Sequence, residues 1–494
     1  MLLYQSMKEI IVNNHKLSGE QITPIIDNPH TSIIIAGAGS GKTMTIIGKL
    51  KYLESLNLYK PNEILLLTFT NAAVNSLKDK IKDNCQYQYD TLTFHKLALN
   101  ILDNNTKIEQ ESTLEYIVNE FFNSYAIYNK FINKTLYKLF PYIIRNNKNN
   151  HKILSSNKLT TLKKNITTFI RLLKTENKTI NSSFFTKKEE EPFLIITYII
   201  YNLYEKEKES TNSLDFDDII IKATNNIKDN KKRTPYKMII IDEFQDTSLI
   251  RLNLIKEIAK QNNASICVVG DDYQSIYRFS GCNINLFLNF SNHFLNAKTY
   301  YLKETYRNSA ELINTAGKFI MKNPYQLKKE FTSSKHYKNP IKIIYYNNTH
   351  RILYKLLDII PNEKQIFILG RNNFDLNPYL NNYTLNNHKL TIPNDNHILS
   401  YYTIHSSKGL ESDIVILLNV SNSINGIPSK HKEEKVFKHV LNKETFKNEE
   451  ERRLFYVALT RCKECIYLLT PYNNPSIFIK EIKHDKNVEI KKML

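Results

Sequence analysis

The 494-residue sequence contains no tryptophan and only five cysteines, an odd number that cannot pair completely. The cysteines are scattered at positions 85, 267, 282, 462 and 465. Small disulfide-stabilised domains need a dense and even set, so this usage excludes that class and favours a reducing compartment. Cys462 and Cys465 form a lone C-x-x-C pair with no second pair to complete a zinc site, and we interpret it as incidental.

Long apolar runs are also missing. No run approaches the roughly 18 residues that a membrane-spanning helix needs. The nearest candidate, residues 193–201, predicts a buried helix. Residues 1–9 lack a basic start followed by an apolar core, as a secretory signal would have. We therefore expect a soluble, cytoplasmic protein without a membrane partner.

Glycine is scarce, with 11 residues in the whole chain. Seven of these 11 fall where the surrounding pattern predicts loops: Gly37, Gly39, Gly41, Gly270, Gly281, Gly370 and Gly409. Glycine allows backbone conformations that other residues avoid. Its concentration at these points therefore favours loops with a function.

The first three of these glycines lie in a segment that follows the β-branched run 33–35 and precedes a helix-compatible sequence. A buried strand, a glycine-rich turn and a helix starting with Lys-Thr are typical of a phosphate-binding loop. Backbone N–H groups would hold an oligophosphate, Lys42 would neutralise its β- and γ-phosphates, and Thr43 would offer a hydroxyl to Mg²⁺. The predicted nucleotide-binding residues are Ala36, Gly37, Ala38, Gly39, Ser40, Gly41, Lys42 and Thr43.

Two further segments complete this predicted site. The apolar run 236–241 ends in Asp242 and Glu243, and in such a pair one carboxylate holds Mg²⁺ while its neighbour polarises the attacking water. A second strand-like run leads to Gln274, an amide placed to sense the γ-phosphate. Upstream of the loop, Gln21 offers a donor and an acceptor that suit the adenine edge.

Aromatic and polar residues end two more strand-like runs. Phe69 and Thr70 follow one run, and His95 follows the next. The carboxyl ends of parallel strands share one edge of a sheet, so these residues are expected to line one surface. Rings at such a position suit base stacking, as do Tyr277 and Phe279. The alternative is that the rings of Phe69 and His95 belong to the core.

Basic residues outnumber acidic ones by 68 to 49, a net charge of +19. A surplus of this size favours a polyanionic partner, although a solubility charge or a codon bias toward lysine remains an alternative. The length exceeds what one core normally supports, so two or more domains are expected.

A helical, strongly basic insertion is predicted over residues 101–212. Between positions 130 and 178 the only acid is Glu176, and the basic residues are Lys130, Lys134, Lys138, Arg145, Lys148, Lys152, Lys158, Lys163, Lys164, Arg171, Lys174 and Lys178. The aromatic residues among them are Phe131, Tyr137, Phe140, Tyr142 and Phe169. This composition fits a nucleic-acid surface, and equally a segment whose aromatics form its own core. The acidic stretch 189–192 predicts a solvated loop.

The second half has no further phosphate-binding loop but keeps α/β punctuation. Arg307 follows an extended segment, and Arg371 ends the strand-like run 365–370. The segment 401–411 precedes a strand. The last block, 449–461, has helical spacing that places Leu454, Val457 and Ala458 on one face.

In this order the motifs resemble those of superfamily 1A DNA helicases of the UvrD/Rep/PcrA type, over nearly the whole chain outside the insertion. Within that family the segments 277–281, 305–307 and 450–461 are most similar to the bacterial helicase IV branch. The resemblance implies an α/β fold with two RecA-like parallel-sheet domains in tandem, which clasp ATP and Mg²⁺ between them.

The resemblance also implies the domain limits. Domain 1A would comprise residues 1–100 and 213–285, the helical insertion 1B residues 101–212, and domain 2A residues 286–494. Only residues 372–402 separate the strand-end arginine from the next motif, where UvrD and Rep carry a large helical domain 2B. That domain is therefore predicted to be missing or vestigial.

The resemblance also implies residue roles. Gln21 would read the adenine, Tyr306 would stack on it, and Glu411 would approach the nucleotide sugar. Asp242 and Thr43 would hold Mg²⁺. The implied catalytic residues are Lys42, Glu243 as the base, Gln274 as the link to the γ-phosphate, and Arg307 and Arg461 as arginine fingers. The implied DNA contacts are Phe69, Thr70, His95, Tyr277, Phe279 and His405.

The sequence therefore predicts an ATP-dependent 3′–5′ DNA helicase that acts on single-stranded and tailed duplex DNA. The alternative is a DNA-stimulated ATPase that translocates or signals with a protein partner, such as a nuclease, without separating strands. The preference for DNA over RNA comes from the resemblance.

Overall fold

The computed structural model describes residues 9–102, 106–125, 129–139, 157–393 and 395–493. Part of the predicted basic surface lies outside these residues, namely Phe140, Tyr142, Arg145, Lys148 and Lys152. In chain order the strands are β1 (Ile11–Val12), β2 (His15–Lys16), β3 (Thr31–Ala36), β4 (Ile64–Thr68), β5 (Asp90–Thr93), β6 (Lys107–Ile108), β7 (Ser213–Leu214), β8 (Met238–Ile241), β9 (Ser265–Gly270), β10 (Lys298–Leu302), β11 (Ile341–Tyr346), β12 (Gln365–Gly370), β13 (Thr384–Asn386), β14 (Lys389–Thr391), β15 (Ile398–Thr403), β16 (Ser412–Leu417), β17 (Cys462–Pro471) and β18 (Val488–Met493).

The α-helices of the described residues alternate with most of these strands. They are α1 (Gly19–Asp27), α2 (Lys42–Ser55), α3 (Asn71–Asn84), α4 (Phe94–Ile101), α5 (Glu111–Glu120), α6 (Lys130–Leu139), α7 (Asn157–Thr175), α8 (Glu191–Thr211), α9 (Phe216–Lys228), α10 (Leu249–Asn262), α11 (Ile284–Leu288), α12 (Phe290–His293), α13 (Ala310–Ile320), α14 (Thr349–Leu357), α15 (Glu449–Leu459) and α16 (Ile477–Ile482). No helix among them is long and apolar enough to cross a membrane.

The first sheet contains six parallel strands in the order β10-β3-β9-β8-β4-β5. Strands β3, β4 and β8 contain runs of isoleucine and leucine, and these apolar residues are buried. Such continuous apolar runs are typical of parallel strands covered on both faces. Helices accordingly form a separate hydrophobic core on each face.

The second sheet contains eight strands in the order β13-β14-β15-β12-β16-β17-β11-β18. It is parallel from β15 to β18, and the hairpin β13–β14 adds two antiparallel strands at one edge. The predicted fold class, two RecA-like sheets in tandem with a helical insertion, is thereby confirmed. Between Arg371 and Thr403 the described residues form a short 3₁₀-helix and this hairpin, in the place of a helical domain.

The first sheet extends further along the chain than the sequence analysis predicted. Strand β10 pairs with β3 over five residues, from Lys298 opposite Ser32 to Leu302 opposite Ala36. The first sheet thus includes an edge strand that follows residue 285, the predicted limit of the first domain. The run 298–302 has few apolar residues facing a core, so no strong burial pattern marks it in the sequence.

The helical insertion has its own hydrophobic core, formed by α5 to α8. Its aromatic residues differ in burial: Phe169 is fully buried in this core, whereas Phe131 is 58% exposed. At its base, Lys174 and Lys208 pair with Asp215 and Asp218, which lie at the start of α9 in the first domain. This buried ion cluster fastens the insertion to the first sheet.

A segment of the second domain packs into the core of the insertion. We call residues 433–442, between β16 and α15, the strap. Val436, Phe437 and Val440 of the strap are buried in the insertion core, with the Phe437 ring 6.1 Å from that of Phe169. The insertion is thus attached to the first domain at its base and to the second domain through the strap.

Residues 189–192, which were predicted to form a solvated loop, are partly buried because the strap contacts them. Glu190 is buried, with its carboxylate oxygens 2.7 Å from Lys438 Nζ and 3.0 Å from His439 Nε2. The His439 ring stacks on Phe184 at 4.9 Å. An acidic run predicts solvent exposure only when no cation reaches it, and these partners lie almost 250 residues away along the chain.

Replacing Phe437 with alanine should release the strap. Truncation of a buried phenylalanine costs about 3–5 kcal/mol, which raises the released population by about 10²-fold or more. Trypsin should then cleave after Lys435 and Lys438 faster by a similar factor, because cleavage tracks the open population. The matched control is Ile424→Ala, on an exposed part of the same connection. Equal cleavage of Phe437→Ala and the parent would contradict the packing role.

Candidate active site

The loop from β3 to α2 has the geometry of a phosphate cradle. Gly39 and Gly41 adopt left-handed φ values of 71° and 78°. A Cβ on Gly41 would also lie 2.5 Å from Gln21 Nε2, so the loop requires glycine there. Helix α2 begins at Lys42, which directs the unpaired N–H groups of its first turn toward the loop.

Gln21 lies directly beneath this loop. Its Nε2 donates to the carbonyl of Gly41 at 3.4 Å, and its Oε1 accepts from the backbone N–H of Ser18 at 3.0 Å. Tyr306 approaches Gly41 from the second domain and keeps 41% of its surface exposed. The structure therefore brings both predicted adenine-binding residues to the same end of the loop.

Asp242 and Glu243 stand at the carboxyl end of β8, facing the loop. Glu243 adopts a left-handed φ of 52°, which is uncommon for a residue with a side chain and is typical of functional sites. Its Oε1 lies 2.8 Å from Lys42 Nζ, and its Oε2 accepts from Gln245 Nε2 at 2.5 Å. Asp242 Oδ1 accepts from the backbone N–H of Glu243 at 2.9 Å.

The environment separates the acidities of the two carboxylates. Burial and the neighbouring charge of Glu243 raise the pKa of Asp242. Burial acts to raise the pKa of Glu243 too, but the ammonium groups of Lys42 and Lys408 outweigh it and lower that pKa. Glu243 is therefore the carboxylate that stays ionised and able to accept a proton.

The second domain contacts the loop through the segment 305–307. Thr305 Oγ1 donates to the carbonyl of Ala38 at 2.7 Å, and the backbone N–H of Tyr306 donates to the carbonyl of Gly39 at 2.9 Å. A Cβ on Gly39 would lie 2.5 Å from Arg307 Cβ. The two domains are therefore in direct contact at the phosphate cradle.

Both predicted arginine fingers come from the second domain and reach this interface. Arg307 Nε donates to Glu411 Oε2 at 2.7 Å, and its Nη1 donates to the carbonyl of Thr460 at 3.3 Å. Arg461 is 1% exposed, and its Nη2 donates to Gln274 Oε1 at 3.0 Å. Burial and the charge of Arg307 lower the pKa of Arg461 to about 9, so its guanidinium stays charged at neutral pH.

The residues present fit a nucleotide with Mg²⁺. The cradle has no room for side chains at its left-handed glycines, and Thr43 and Asp242 supply hydroxyl and carboxylate oxygens beside it. Across the described ranges, no cluster of three or more His, Cys, Asp and Glu side chains is suited to a metal ion.

Sequence reasoning assigned no role to Lys408, which the structure places between the domains. Lys408 Nζ lies 2.5 Å from Asp246 Oδ2 and donates to the carbonyl of Gln274 at 2.7 Å. It also lies 5.0 Å from the centre of the Tyr277 ring. The available signal was a lysine beside a scarce glycine, Gly409, in a predicted loop.

The predicted DNA contacts form two groups. Tyr277 and Phe279 of the first domain meet His405 of the second: the Phe279 and His405 rings are 5.5 Å apart, and Tyr277 Oη donates to the carbonyl of His405 at 3.0 Å. Phe279 is 55% exposed, so its ring is available for stacking. Burial, together with the charge of Arg371, lowers the pKa of His405 to about 4, which keeps it neutral at pH 7.

The second group lies within the first domain. Phe69 packs 5.2 Å from the Phe94 ring, and the guanidinium of Arg251 covers it at 5.4 Å. Thr70 caps α3, accepting from a backbone N–H through its Oγ1, and is otherwise exposed. His95 packs edge-on against another ring, and burial lowers its pKa to about 4. The ring partners of Phe69 and His95 are therefore Phe94 and Phe216 of the first domain.

Comparisons with known proteins agree with this geometry. The family description "UvrD/REP helicase N-terminal domain" matches residues 17–295, and "Viral superfamily 1 RNA helicase core domain" matches residues 220–470. DNA helicase IV of Escherichia coli (strain K12) is 28% identical over 497 residues, covering 96% of this chain and 71% of that protein. A probable DNA helicase of Mycoplasma pneumoniae is 25% identical over 503 residues, covering 95% of this chain and 87% of the relative.

A third relative matches a smaller part of this chain. The ATP-dependent DNA helicase Rep of Buchnera aphidicola subsp. Baizongia pistaciae is 30% identical over 328 residues, which are 64% of this chain and 44% of Rep. The chain thus spans less than half the length of this relative. The first family match extends over more than half of the 494 residues, and the chain belongs to the UvrD/REP family of superfamily 1 helicases.

Proposed function

We propose that this protein is an ATP-dependent DNA helicase that moves 3′ to 5′ on single-stranded DNA. The observation that carries the proposal is the contact of the second domain with the phosphate loop, where Arg461 reaches Gln274 and Arg307 lies against Gly39. Hydrolysis that needs cations from a second domain depends on closure of the two domains. Such dependence is what a motor requires.

The chain's residues divide the chemistry among them. Lys42 and the loop N–H groups bind the phosphates, and Thr43 with Asp242 would hold Mg²⁺, which supplies positive charge to the β- and γ-phosphate oxygens. Glu243 accepts a proton from the attacking water. Arg307 and Arg461 stabilise the charge that develops on the transferred phosphoryl group.

Closure would be transmitted to DNA through the loop after β9. Gln274 of this loop accepts from Arg461, and Tyr277 and Phe279 lie three and five residues further on. Lys408 binds both the carbonyl of Gln274 and the carboxylate of Asp246 across the interface. A change in domain spacing therefore moves the stacking rings and the γ-phosphate sensor together.

A second candidate function is a translocase or sensor subunit that works with a partner, such as a nuclease, without processive unwinding. It is favoured by the hairpin β13–β14, which stands where a large helical domain is inserted in UvrD and Rep. A smaller second domain leaves fewer contacts for a duplex ahead of the motor.

The experiment measures ATP hydrolysis with and without single-stranded DNA, and strand separation on 3′-tailed and 5′-tailed duplexes. Strong stimulation with unwinding of the 3′-tailed duplex alone supports the helicase. Stimulation without unwinding supports the translocase. A single-stranded RNA of the same sequence tests whether the protein prefers DNA. If neither the DNA nor the RNA stimulates ATP hydrolysis, both the helicase and the translocase are refuted.

Replacing Phe279 with alanine should weaken binding of single-stranded DNA by about 1–3 kcal/mol, the contribution of one stacked base. Fluorescence anisotropy of a labelled oligonucleotide measures this directly. Since the chain has no tryptophan, Phe279→Trp adds one emitter whose quenching reports stacking. Leu295→Ala, at an exposed apolar position outside the site, is the control. Unchanged affinity in Phe279→Ala would remove this ring from the DNA path.

A further inference from the structure

A segment of the second domain is wedged between the two loops that form the nucleotide site. Residues 323–331 follow α13 and pass beside the phosphate loop, where a Cβ on Gly37 would lie 2.2 Å from Phe331 Cε1. On the other side, Gln326 Nε2 donates to Asp272 Oδ2 at 2.6 Å, and Tyr273 Oη donates to the carbonyl of Leu327 at 2.5 Å. The segment thereby joins the phosphate loop to the loop after β9.

Within this segment, Lys329 makes the contacts with buried charged residues. Its Nζ lies 2.6 Å from Asp271 Oδ1 and 2.5 Å from Asp272 Oδ1, and donates to the carbonyl of Ala36 at 3.1 Å. Both aspartates are fully buried, and among the ion pairs of the described residues Lys329 is the only cation that reaches either one. Burial acts to lower the pKa of Lys329, but the two carboxylates raise it above its ordinary value, so the ammonium stays charged.

The aspartate that Lys329 holds also orients the γ-phosphate sensor. Asp271 Oδ2 accepts from Gln274 Nε2 at 2.6 Å, and Gln274 Oε1 accepts from Arg461 Nη2 at 3.0 Å. An amide has distinct donor and acceptor ends, so an acceptor at Asp271 turns the Gln274 oxygen toward the arginine. One chain of contacts therefore runs from Ala36 through Lys329, Asp271 and Gln274 to Arg461.

We propose that Lys329 is a positioning residue for ATP hydrolysis. Its ammonium fixes Asp271, and Asp271 fixes the orientation of the Gln274 amide that receives Arg461 when the domains close. The same ammonium binds the first residue of the phosphate loop, which keeps the loop and the sensor at a constant spacing. This inference rests on the proposed roles of Gln274 and Arg461 in hydrolysis.

The test begins with Lys329→Met and its neighbour Lys328→Met, an exposed lysine of the same segment. Misplacement of reacting groups by about 1 Å costs about 10²-fold, so we expect kcat of Lys329→Met to fall by about that factor. KM for ATP and the affinity for a fluorescent ATP analogue should stay within about threefold, because the groups that touch the nucleotide are intact. Lys328→Met should behave as the parent.

A charge-matched double variant separates positioning from folding. Lys329→Met leaves two buried carboxylates without a cation, whereas Lys329→Met with Asp272→Asn restores the original net charge of the cluster. We expect the double variant to recover the melting temperature of the parent and to keep the low kcat, since Asp271 still lacks its anchor. Recovery of kcat together with the melting temperature would overturn the proposal, because it would show a purely structural role.

Failure of the proposed function gives a different result. Hydrolysis by the parent that DNA does not stimulate would refute the motor, while the loss in Lys329→Met could still be measured on DNA-free turnover. Conversely, DNA could stimulate ATP hydrolysis by the parent while kcat of Lys329→Met equals that of the parent. That result would refute the positioning role and leave the proposed function standing. Lys329→Arg, which keeps the charge, should recover part of the lost kcat under the proposal.

Discussion

Replacing Arg461 with lysine should lower kcat for ATP hydrolysis by about 10³-fold or more, toward the 10³–10⁵-fold that arginine fingers contribute in phosphoryl transfer. The side chain is buried and uses three separate donors, to Gln274 Oε1 and to the carbonyls of Leu410 and Val457. A lysine keeps the charge but lacks the planar fork that reaches these groups and the phosphate together. Single-turnover hydrolysis, with the protein in saturating excess over ATP, measures the chemical step.

The same substitution at Arg351, an exposed arginine of α14, is the matched control and should leave kcat unchanged. Arg307→Lys should show a loss of similar kind, because Arg307 lies against the phosphate loop from the same domain. Both variants should keep their affinity for single-stranded DNA, since neither residue belongs to the aromatic group around Phe279. A near-parental kcat in Arg461→Lys would mean that Arg461 only holds the domains together.

Replacing Glu243 with glutamine should lower kcat by about 10²–10⁴-fold, the contribution of a positioned general base. The lowered pKa of Glu243, caused by Lys42 and Lys408 acting against burial, keeps the carboxylate ionised at neutral pH. Glutamine has nearly the same shape and removes the proton acceptor. ATP binding should survive, because the cradle and Lys42 are untouched. The measurement is DNA-stimulated hydrolysis beside equilibrium binding of a fluorescent ATP analogue.

Asp79→Asn makes the same carboxylate-to-amide change at an exposed position of α3 and should have no effect. The Glu243 variant should also trap the protein on DNA in the presence of ATP, because binding persists while turnover stops. Loss of nucleotide binding together with hydrolysis would contradict the assignment. It would show that the Glu243–Lys42 ion pair at 2.8 Å holds the loop in shape and has no separate role in proton transfer.

Most residues of the candidate site were predicted from short, local sequence motifs. The phosphate loop is a run of consecutive residues in which Gly39 and Gly41 adopt the left-handed conformation that glycine favours. The carboxylate pair follows directly on the buried strand β8, as the pattern predicted. The predicted helix is present as Glu449–Leu459, but burial is not limited to the face of Leu454, Val457 and Ala458, since residues 452–459 are all buried. Each of these signals lies within about a dozen residues.

Features that depend on distant partners were missed. Strand β10 carries no strong apolar pattern, and it is a strand because β3 offers a free edge. The acidic run at 189–192 is partly buried because the strap supplies Lys438 and His439 to Glu190. Lys408 and Lys329 stand beside familiar motifs, yet nothing near them in the chain indicates the carboxylates they bind.

The sequence by itself determined the class of the protein, the order of its motifs and the residues of the phosphate cradle, because strands, turns and helix starts are encoded by neighbouring residues. Only the tertiary structure decided which charges meet. Arg461 reaches Gln274 across 187 positions, and Lys408 reaches Asp246 across 162. Such contacts exist because the two sheets pack against each other and exclude water, so a charge buried between them requires a partner.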